Sequence, residues 1–215
     1  MNLTFHTPGG IEGESMRIIQ QELDEMGIIL DPDCADVVRR AIHTTADFDY
    51  AKNLIFTPEA ASAGAAALRS GTPIITDTNM ARSGINQKAC TQFGVERFCY
   101  MADPEVAQAA KEHGTTRAVA AVDRWAQEHP NAIFAVGNAP TALLRMCELM
   151  EAGKLRPSLV IAVPVGFVNV VESKEAMLEL CWKLEVPAIV AMGRKGGSTV
   201  AAAICNALLY RTFER

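Results

Sequence analysis

Short runs of β-branched residues alternate with longer helical segments from about residue 53 onward. Alternation of this kind is typical of a parallel sheet covered by helices on both faces. The pattern predicts six strands, which lie near residues 54–57, 73–77, 97–101, 132–137, 159–164 and 188–192. Helices fill the intervals between them, so the sequence predicts an α/β fold.

Two amphipathic helices precede the sheet, over residues 11–26 and 35–45, and the turn Asp31-Pro32-Asp33 separates them. We expect this N-terminal helical pair to pack across one edge of the sheet. Apolar residues make up 49% of the 215-residue chain, which is enough to build a full core. Because no linker, repeat or low-complexity tract divides the chain, we expect residues 1–215 to form a single domain.

Charge, cysteine content and hydropathy exclude several classes of protein. The formal net charge of −5 argues against a nucleic-acid-binding surface, which requires a basic face. The six cysteines form neither a CxxC pair nor a Cys/His cluster with metal-ligand spacing, so we expect reduced thiols and no metal site. No apolar stretch has the length of a membrane span, and residues 1–6 lack the form of a signal peptide. We therefore expect a soluble, cytoplasmic protein without membrane or nucleic-acid partners.

Four polar or glycine-rich segments directly follow predicted strands. They are residues 77–84, 137–141, 164–174 and 193–198. The carboxyl ends of parallel strands meet at one edge of a sheet, where ligands bind in open α/β folds. The sequence therefore predicts that the four segments share a rim and that this rim is a binding site.

The last of these segments, Gly193-Arg194-Lys195-Gly196-Gly197-Ser198, leads from a strand into a helix. Free backbone N–H groups at a helix start, beside two cations, are suited to binding a phosphate or a carboxylate. The segment matches neither the GxGxxG pattern nor the Walker A pattern, so no dinucleotide or nucleoside triphosphate is specifically indicated. The alternative interpretation is that its glycines only permit a tight turn.

Other cations belong to the same predicted rim. Arg117 follows Gly114-Thr115-Thr116 at a helix start, where the helix dipole does not favour a positive charge. It indicates either a bound anion or a solvated arginine. Glu172-Ser173-Lys174 indicates either a helix-starting cap with an exposed ion pair or a direct contact with a substrate. Together with Arg40 and Arg82, these cations would form a positive pocket in an acidic protein, suited to a small polyanion.

His43 lies on the predicted helix 35–45, between Arg40 and the acidic turn that contains Asp47. Histidine changes its charge near neutral pH, so a ring held beside Arg40 and Asp47 could transfer a proton in catalysis. The alternative is a packed or capping residue.

Taken in order, these segments resemble the precorrin-8X methylmutase family, which is called cobalt-precorrin-8 methylmutase in the anaerobic route. The resemblance extends from about residue 11 to residue 209. The motifs that carry it are Ser15 with its following helix, Arg40-Ala41-Ile42-His43, residues 77–84 with Met80, and residues 114–117, 137–143, 164–174 and 193–198. It implies a flavodoxin-like three-layer α/β/α fold with a mainly parallel sheet, and a homodimer whose active site lies close to the subunit interface.

The resemblance further implies an isomerase of cobalamin biosynthesis. Such an enzyme moves a methyl group from C11 to C12 of a corrinoid precursor and forms hydrogenobyrinate, or cobyrinate when cobalt is present. A sigmatropic shift of this kind requires neither a nucleophile nor a redox cofactor. We therefore expect no cofactor, with any cobalt carried by the substrate. The expected partners are the corrinoid substrate, a second copy of the chain and neighbouring enzymes of the pathway.

The same resemblance implies roles for individual residues. His43 would be the catalytic proton donor or acceptor at a ring nitrogen. Ser15, Arg40 and Arg117 would hold the substrate. We also expect substrate contacts from three residues of the predicted rim, Asp77, Met80 and Arg194. Met80, Phe167 and Val168 would either form an apolar floor for the macrocycle or pack in the core.

Two alternatives come from other functional classes. A flavodoxin-like phosphate- or nucleotide-binding enzyme would use residues 193–198 for phosphate. A non-catalytic tetrapyrrole carrier would bind the same ligand without turnover. Competition by a nucleotide would favour the first alternative, and an absorption spectrum that does not change with time during incubation with the precursor would favour the second.

Overall fold

The structure is a computed structural model that describes residues 8–211 and residue 213, with side chains described from residue 10 onward. The prediction about residues 1–6 therefore lies outside the described residues. The strands are β1 Leu54–Phe56, β2 Ile74–Thr76, β3 Arg97–Phe98, β4 Ile133–Val136, β5 Leu159–Ala162 and β6 Ala188–Ala191. The helices are α1 Pro8–Glu25, α2 Ala35–Thr45, α3 Tyr50–Asn53, α4 Ala60–Arg69, α5 Asn79–Gly84, α6 Gln87–Phe93, α7 Pro104–Glu112, α8 Arg117–Glu128, α9 Pro140–Glu151, α10 Val170–Leu184 and α11 Ser198–Tyr210.

All six predicted strands are present, each one to three residues shorter than the sequence predicts. The largest difference is at β3, which ends at Phe98 rather than at residue 101. This strand lies at the sheet edge and pairs only with β2, through two residue pairs. The predicted helix 35–45 has the observed bounds of α2, and the first helix begins at Pro8 and ends at Glu25.

The strand order across the sheet is β1-β6-β5-β4-β2-β3. Five strands are parallel, and β1 pairs antiparallel with β6 at the other edge. Apart from β1, this is the strand order of flavodoxin-like folds, in which the order reverses between the first and the third parallel strands. The predicted fold class is therefore confirmed. The reversal falls between β2 and β4, and it opens a crevice at their carboxyl ends.

Alternate residues of the central strands face opposite sides of the sheet. In β4, Ile133 and Ala135 belong to one hydrophobic core, whereas Phe134 and Val136 belong to the other. All four are buried, as expected for a parallel strand covered on both faces. The first core is closed by helices from α1 to α6 together with α11, and the second by α7 to α10. The three-layer α/β/α arrangement follows from this division.

The N-terminal helical pair lies on a face of the molecule rather than across a sheet edge, so that expectation is wrong. Helix α2 packs on α11, and α1 packs on α2. The reason is the composition of α11, whose residues from Val200 to Leu209 are almost all apolar and buried. A helix that is apolar on all sides requires cover on the side away from the sheet as well. The buried stripe Val37, Val38, Ala41 and Ile42 of α2 provides it.

The directions of α2 and α11 place the end of α2 at the functional edge of the sheet. Arg211, just after α11, donates from Nε to Oδ2 of Asp36 in the first turn of α2, at 2.7 Å. The two helices are therefore antiparallel, and the last turn of α2 lies beside the beginning of α11. Since α11 begins after β6, His43 is carried to the carboxyl edge of the parallel strands.

Among the described helices, none is both long enough and apolar enough to cross a bilayer.

Candidate active site

The four segments predicted to share a rim are joined there by hydrogen bonds. Gly197 N donates to the carbonyl oxygen of Val163 at 2.8 Å, which connects the segment after β6 with the segment after β5. The hydroxyl oxygens of Thr78 and Ser198 lie 2.7 Å apart, which connects the segment after β2 with the start of α11. We call these four segments, residues 77–84, 137–141, 164–174 and 193–198, the rim.

Asp77 connects two rim segments across the reversal of strand order. Its Oδ1 accepts a hydrogen bond from Gly137 N at 2.8 Å, and its Oδ2 accepts from Asn138 N at 2.8 Å and from Ala139 N at 2.7 Å. The side chain is buried, and burial raises the pKa of Asp77 although the three donors act in the opposite direction. Both oxygens thus face the backbone of residues 137–139. The structure places this predicted substrate-binding residue on the rim, where it supports the neighbouring segment.

Two glycines allow the rim segments to approach each other closely. A Cβ atom on Gly137 would lie 2.8 Å from Cα of Ser198, and one on Gly196 would overlap the carbonyl oxygen of Val163. Real Cβ atoms do not make such contacts, so a side chain at either position would force the segments apart. Gly196 therefore does more than permit a turn, because its lack of a side chain lets the segments after β5 and β6 come into contact.

His43 lies in the last turn of α2, and its side chain is exposed at the edge that carries the rim. Among the described residues, the ring forms no hydrogen bond or ion pair with Arg40 or Asp47, the two residues hypothesised to hold it. Asp47 Oδ2 lies 2.6 Å from Nζ of Lys195, and hydrogen bonding to that ammonium lowers the pKa of Asp47. Arg40 instead reaches Glu12 of α1, with Nη2 2.6 Å from Oε1. The reason is tertiary, since α1 brings a carboxylate to Arg40 and the segment after β6 brings an ammonium to Asp47.

Arg40 and Ser15 lie together on the side of the site formed by α1 and α2. The guanidinium of Arg40 is also stacked 5.2 Å from the ring centroid of Tyr210. The hydroxyl of Ser15 donates to the carbonyl oxygen of Ile11 within α1, at 2.9 Å. Arg40 lines a groove of about 280 Å³ that extends along α11, with Thr44 at one end and Tyr210 at the other. The groove therefore begins one residue from His43.

Arg117 and Arg194 are exposed cations of this edge. Thr116 accepts a hydrogen bond from Val119 N and lies 3.4 Å from the hydroxyl of Thr141, so α8 begins beside the start of α9. This contact places Arg117 next to the rim. Arg194 is stacked 5.3 Å from the ring centroid of Phe167. Within the described residues, neither arginine has a carboxylate partner, whereas Arg40 and Lys195 both do.

The rim also exposes apolar side chains. Met80 is 67% exposed, Phe167 81% and Val168 78%. These fractions exclude the alternative in which the three residues pack in the core. Exposed apolar surface on the same edge as exposed arginines suits a broad planar ligand with anionic arms.

Of the two interpretations of Glu172-Ser173-Lys174, the helix-starting cap with an exposed ion pair is wrong, because Ser173 and Lys174 are both fully buried. The Nζ atom of Lys174 donates to the carbonyl oxygens of Gly193 and Lys195, each at 2.8 Å. Burial lowers the pKa of Lys174 to about 8. A signal was present in the sequence, since Lys174 follows Val170 by four residues and precedes Met177 by three, on the apolar stripe of α10.

The cysteine thiols are poorly suited to nucleophilic chemistry. Burial is the largest cause of a raised pKa at all six, and it raises the pKa of Cys147 to about 11 and that of Cys181 to about 12. The thiolate is the reactive form of cysteine, so these side chains remain unreactive at neutral pH. The imidazole of His43 is thus the candidate acid or base beside the rim.

Comparisons with known proteins identify relatives of the chain by sequence and by fold. The model of the CbiC family, described as precorrin-8X methylmutase, matches residues 10–211. The cobalt-precorrin-8 methylmutase of Salmonella typhimurium is 49% identical over 179 residues, covering 83% of this chain and 81% of that protein. The corresponding protein of Priestia megaterium is 41% identical over 201 residues, covering 94% and 87%. The crystal structure of a precorrin-8X methylmutase from Thermus thermophilus superposes with a TM-score of 0.83 at 42% identity, covering 93% and 96%.

Proposed function

The chain belongs to the precorrin-8X methylmutase family, and from this premise we propose how its rim performs the reaction. The chain is a methylmutase, an isomerase that relocates a methyl group within a corrinoid precursor. We propose that the methyl group moves from C11 to C12 and that the product is hydrogenobyrinate, or cobyrinate when the substrate carries cobalt.

One observation carries the proposed mechanism. A single edge of the sheet presents an exposed imidazole at His43, two arginines without a described carboxylate partner and three exposed apolar side chains. A tetrapyrrole precursor has the complementary features, namely ring nitrogens, acetate and propionate arms, and a broad apolar macrocycle. The family assignment leaves the two alternatives, a nucleotide-binding enzyme and a non-catalytic carrier, without support.

In the proposed reaction, His43 acts on a ring nitrogen of the substrate. The bond from the methyl group to C11 breaks as the bond to C12 forms, and the electrons of the conjugated system move with it. No atom is gained or lost overall. Proton donation or hydrogen bonding by the imidazole changes the electron demand of the macrocycle and so lowers the barrier. We propose that the chain supplies no cofactor, because this rearrangement needs none, and that any cobalt enters with the substrate.

Arg117 and Arg194 are proposed to bind the carboxylate arms. Both lie on the edge that carries His43, and their guanidinium groups are exposed. A guanidinium forms two parallel hydrogen bonds with a carboxylate, which fixes orientation as well as position. Met80 and Phe167 would contact the face of the macrocycle, while Asp77 holds the segment that follows β4.

Arg40 and Ser15 are proposed to contact the substrate from the side formed by α1 and α2. The guanidinium of Arg40 forms an ion pair with the carboxylate of Glu12. A carboxylate therefore fits at this position, and an arm of the substrate would bind there in the same way. The groove at Arg40 has a volume of only about 280 Å³, just below the range of about 300–1,000 Å³ that is usual for ligand sites. A corrinoid therefore extends beyond it onto the open rim. We propose that a second copy of the chain covers the rest of the ligand in a homodimer.

The decisive experiment is incubation of the purified chain with the precursor while the absorption spectrum is recorded. Methyl migration changes the conjugation of the macrocycle, so the methylmutase reaction gives a time-dependent spectral change. A carrier would give an immediate shift with no further change. Offering the cobalt-containing and the metal-free precursor in parallel shows which of them the chain converts, and failure to convert either contradicts the proposed function.

A further inference from the structure

Lys174 is a fully buried lysine near the beginning of α10. Its ammonium faces no carboxylate among the described residues and is held instead by the carbonyl oxygens of Gly193 and Lys195, both at 2.8 Å. The nearest carboxylates along its own helix belong to Glu172 and Glu175, which are exposed. Removing a cation from water costs free energy, and no described carboxylate offsets that cost here. A lysine buried at this position therefore points to a specific task.

The two carbonyl oxygens belong to residues on either side of Arg194. The segment after β6 therefore curls around the ammonium and turns the side chain of Arg194 outward, over the ring of Phe167. A neutral apolar side chain in place of Lys174 would leave both carbonyl oxygens without a donor in a buried place. The charged side chains of this segment, Arg194 and Lys195, are exposed cations.

Lys195 connects this segment to the end of α2, the helix that contains His43. Its Nζ lies 2.6 Å from Oδ2 of Asp47 and 2.5 Å from Oδ2 of Asp49. These two aspartates form the turn between α2 and α3, directly after the last turn of α2 that carries His43. Contacts therefore lead without interruption from the ammonium of Lys174, through the backbone of residues 193–195, to the turn that follows His43.

We infer that Lys174 is a positioning residue of the methyl shift: it fixes residues 193–195 so that Arg194 faces the substrate and Lys195 holds the turn after His43. This inference rests on the proposed function of His43 and Arg194. Lys174 is buried beneath the rim and acts through these neighbours. A small displacement of a group that holds the substrate or transfers a proton is enough to slow catalysis severely. Replacing Lys174 should therefore reduce activity more than a loss of stability alone would.

The first test is a mutant cycle measured by titrating the product against absorbance. The variants are K174M, the double variant R194A/K195M and the triple variant, with K183M as a control at an exposed lysine of the same helix. We expect K174M to weaken product binding about tenfold in the otherwise wild-type chain but less than about twofold in the double variant, because the groups through which it acts are gone. An equal loss in both backgrounds, or a loss no larger than that of K183M, overturns the inference.

The second test needs no ligand and does not depend on the folding of K174M. K195M removes only the surface ion pairs of Lys195 with Asp47 and Asp49. Hydrogen exchange then reports on the turn after His43. Ala46 N donates to Ile42 O and Asp49 N donates to Asp47 Oδ1, so exchange at either amide requires one of these hydrogen bonds to open. We expect K195M to speed exchange at these amides about tenfold and to leave the amides of residues 137–139 unchanged. Unchanged exchange at residues 46 and 49 contradicts the inference.

The outcomes separate this inference from the proposed function. A wild-type chain that converts no precursor contradicts the proposed function, while the exchange measurement still decides whether the link to the turn exists. A wild-type chain that is active while K174M has the same kcat and KM contradicts the inference alone.

Discussion

The carboxylate of Asp77, at the end of β2, accepts a hydrogen bond from the backbone amide of Gly137, at the end of β4, at 2.8 Å. The two residues lie on either side of the reversal in strand order, where flavodoxin-like folds bind their ligands. One buried side chain thus fixes the spacing of the two segments that border the crevice.

Asp77→Asn should destabilise the fold. An asparagine keeps one acceptor oxygen, but its NH₂ group would oppose backbone N–H donors that now point at a carboxylate oxygen. We expect the free energy of unfolding to fall by about 2–3 kcal/mol, the usual cost of leaving buried donors unpaired. Urea denaturation measures this change. Asp24→Asn, at an exposed position of α1, is the control, and an equal midpoint for the two variants would contradict the role of Asp77.

His43→Ala should abolish most of the isomerisation and leave product binding within a few-fold of wild type. A general acid or base contributes roughly a hundredfold to ten-thousandfold to the rate and little to ground-state affinity. Turnover is followed by the change in absorption spectrum. His113→Ala removes another exposed histidine, at the end of α7, and should retain full activity. Near-normal turnover by the His43 variant would remove His43 from the mechanism.

Arg117→Ala should weaken product binding by about 1.5–3 kcal/mol if its guanidinium holds a substrate carboxylate in a partly desolvated pair. Arg117→Lys should recover only part of this loss, because an ammonium does not reproduce the two-pronged geometry. Binding is measured by absorbance titration at fixed ionic strength, with Arg69→Ala as an exposed control at the end of α4. Affinities within about 0.5 kcal/mol for all four proteins would identify Arg117 as a solvated side chain.

The buried ammonium of Lys174 should give stability an alkaline dependence that K174M lacks. Burial lowers the pKa of this lysine from 10.5 to about 8, so between these values the unfolded chain binds more protons than the folded one. The free energy of unfolding therefore rises with pH across this window, relative to a variant without the amine. The free energy of unfolding is measured by denaturation for wild type and K174M from about pH 7 to pH 11. Subtracting one from the other removes the contributions of the other titrating groups, which the two proteins share. A difference that is constant with pH would contradict the lowered pKa.

The chain should be a homodimer in solution. The rim exposes Met80, Phe167 and Val168, and the groove beside Arg40 is too small to enclose a corrinoid. A stable interface should bury at least about 1,000 Å². Light scattering at micromolar concentration should therefore return twice the chain mass of 23.2 kDa, and the mass of a single chain would contradict the dimer.

The secondary structure was largely predictable because its signals are local. The apolar stripe of α2 and the apolar runs of β4 and β5 are properties of neighbouring residues, and they appear in the structure where the sequence predicts them. The position of the rim was predictable for a related reason, since parallel strands necessarily deliver the segments that follow them to one edge.

The direction of β1 was not predictable in this way. It pairs antiparallel with β6, with Leu54 opposite Ala191, and nothing in its three residues specifies that partner. Likewise, the helical pair covers α11 rather than a sheet edge because α11 is apolar on all sides, and only its place in the fold shows which side still needs cover.

The sequence by itself determined the fold class, the edge on which the site lies and the residue types that the chemistry requires. The tertiary structure alone decided which charges pair: Asp47 with Lys195 rather than with His43, Arg40 with Glu12, and Lys174 with two backbone carbonyls instead of solvent. The physical reason is that periodicity and turn chemistry act over a few residues, whereas the partner of a charged side chain depends on which distant segments the topology brings within a few ångströms.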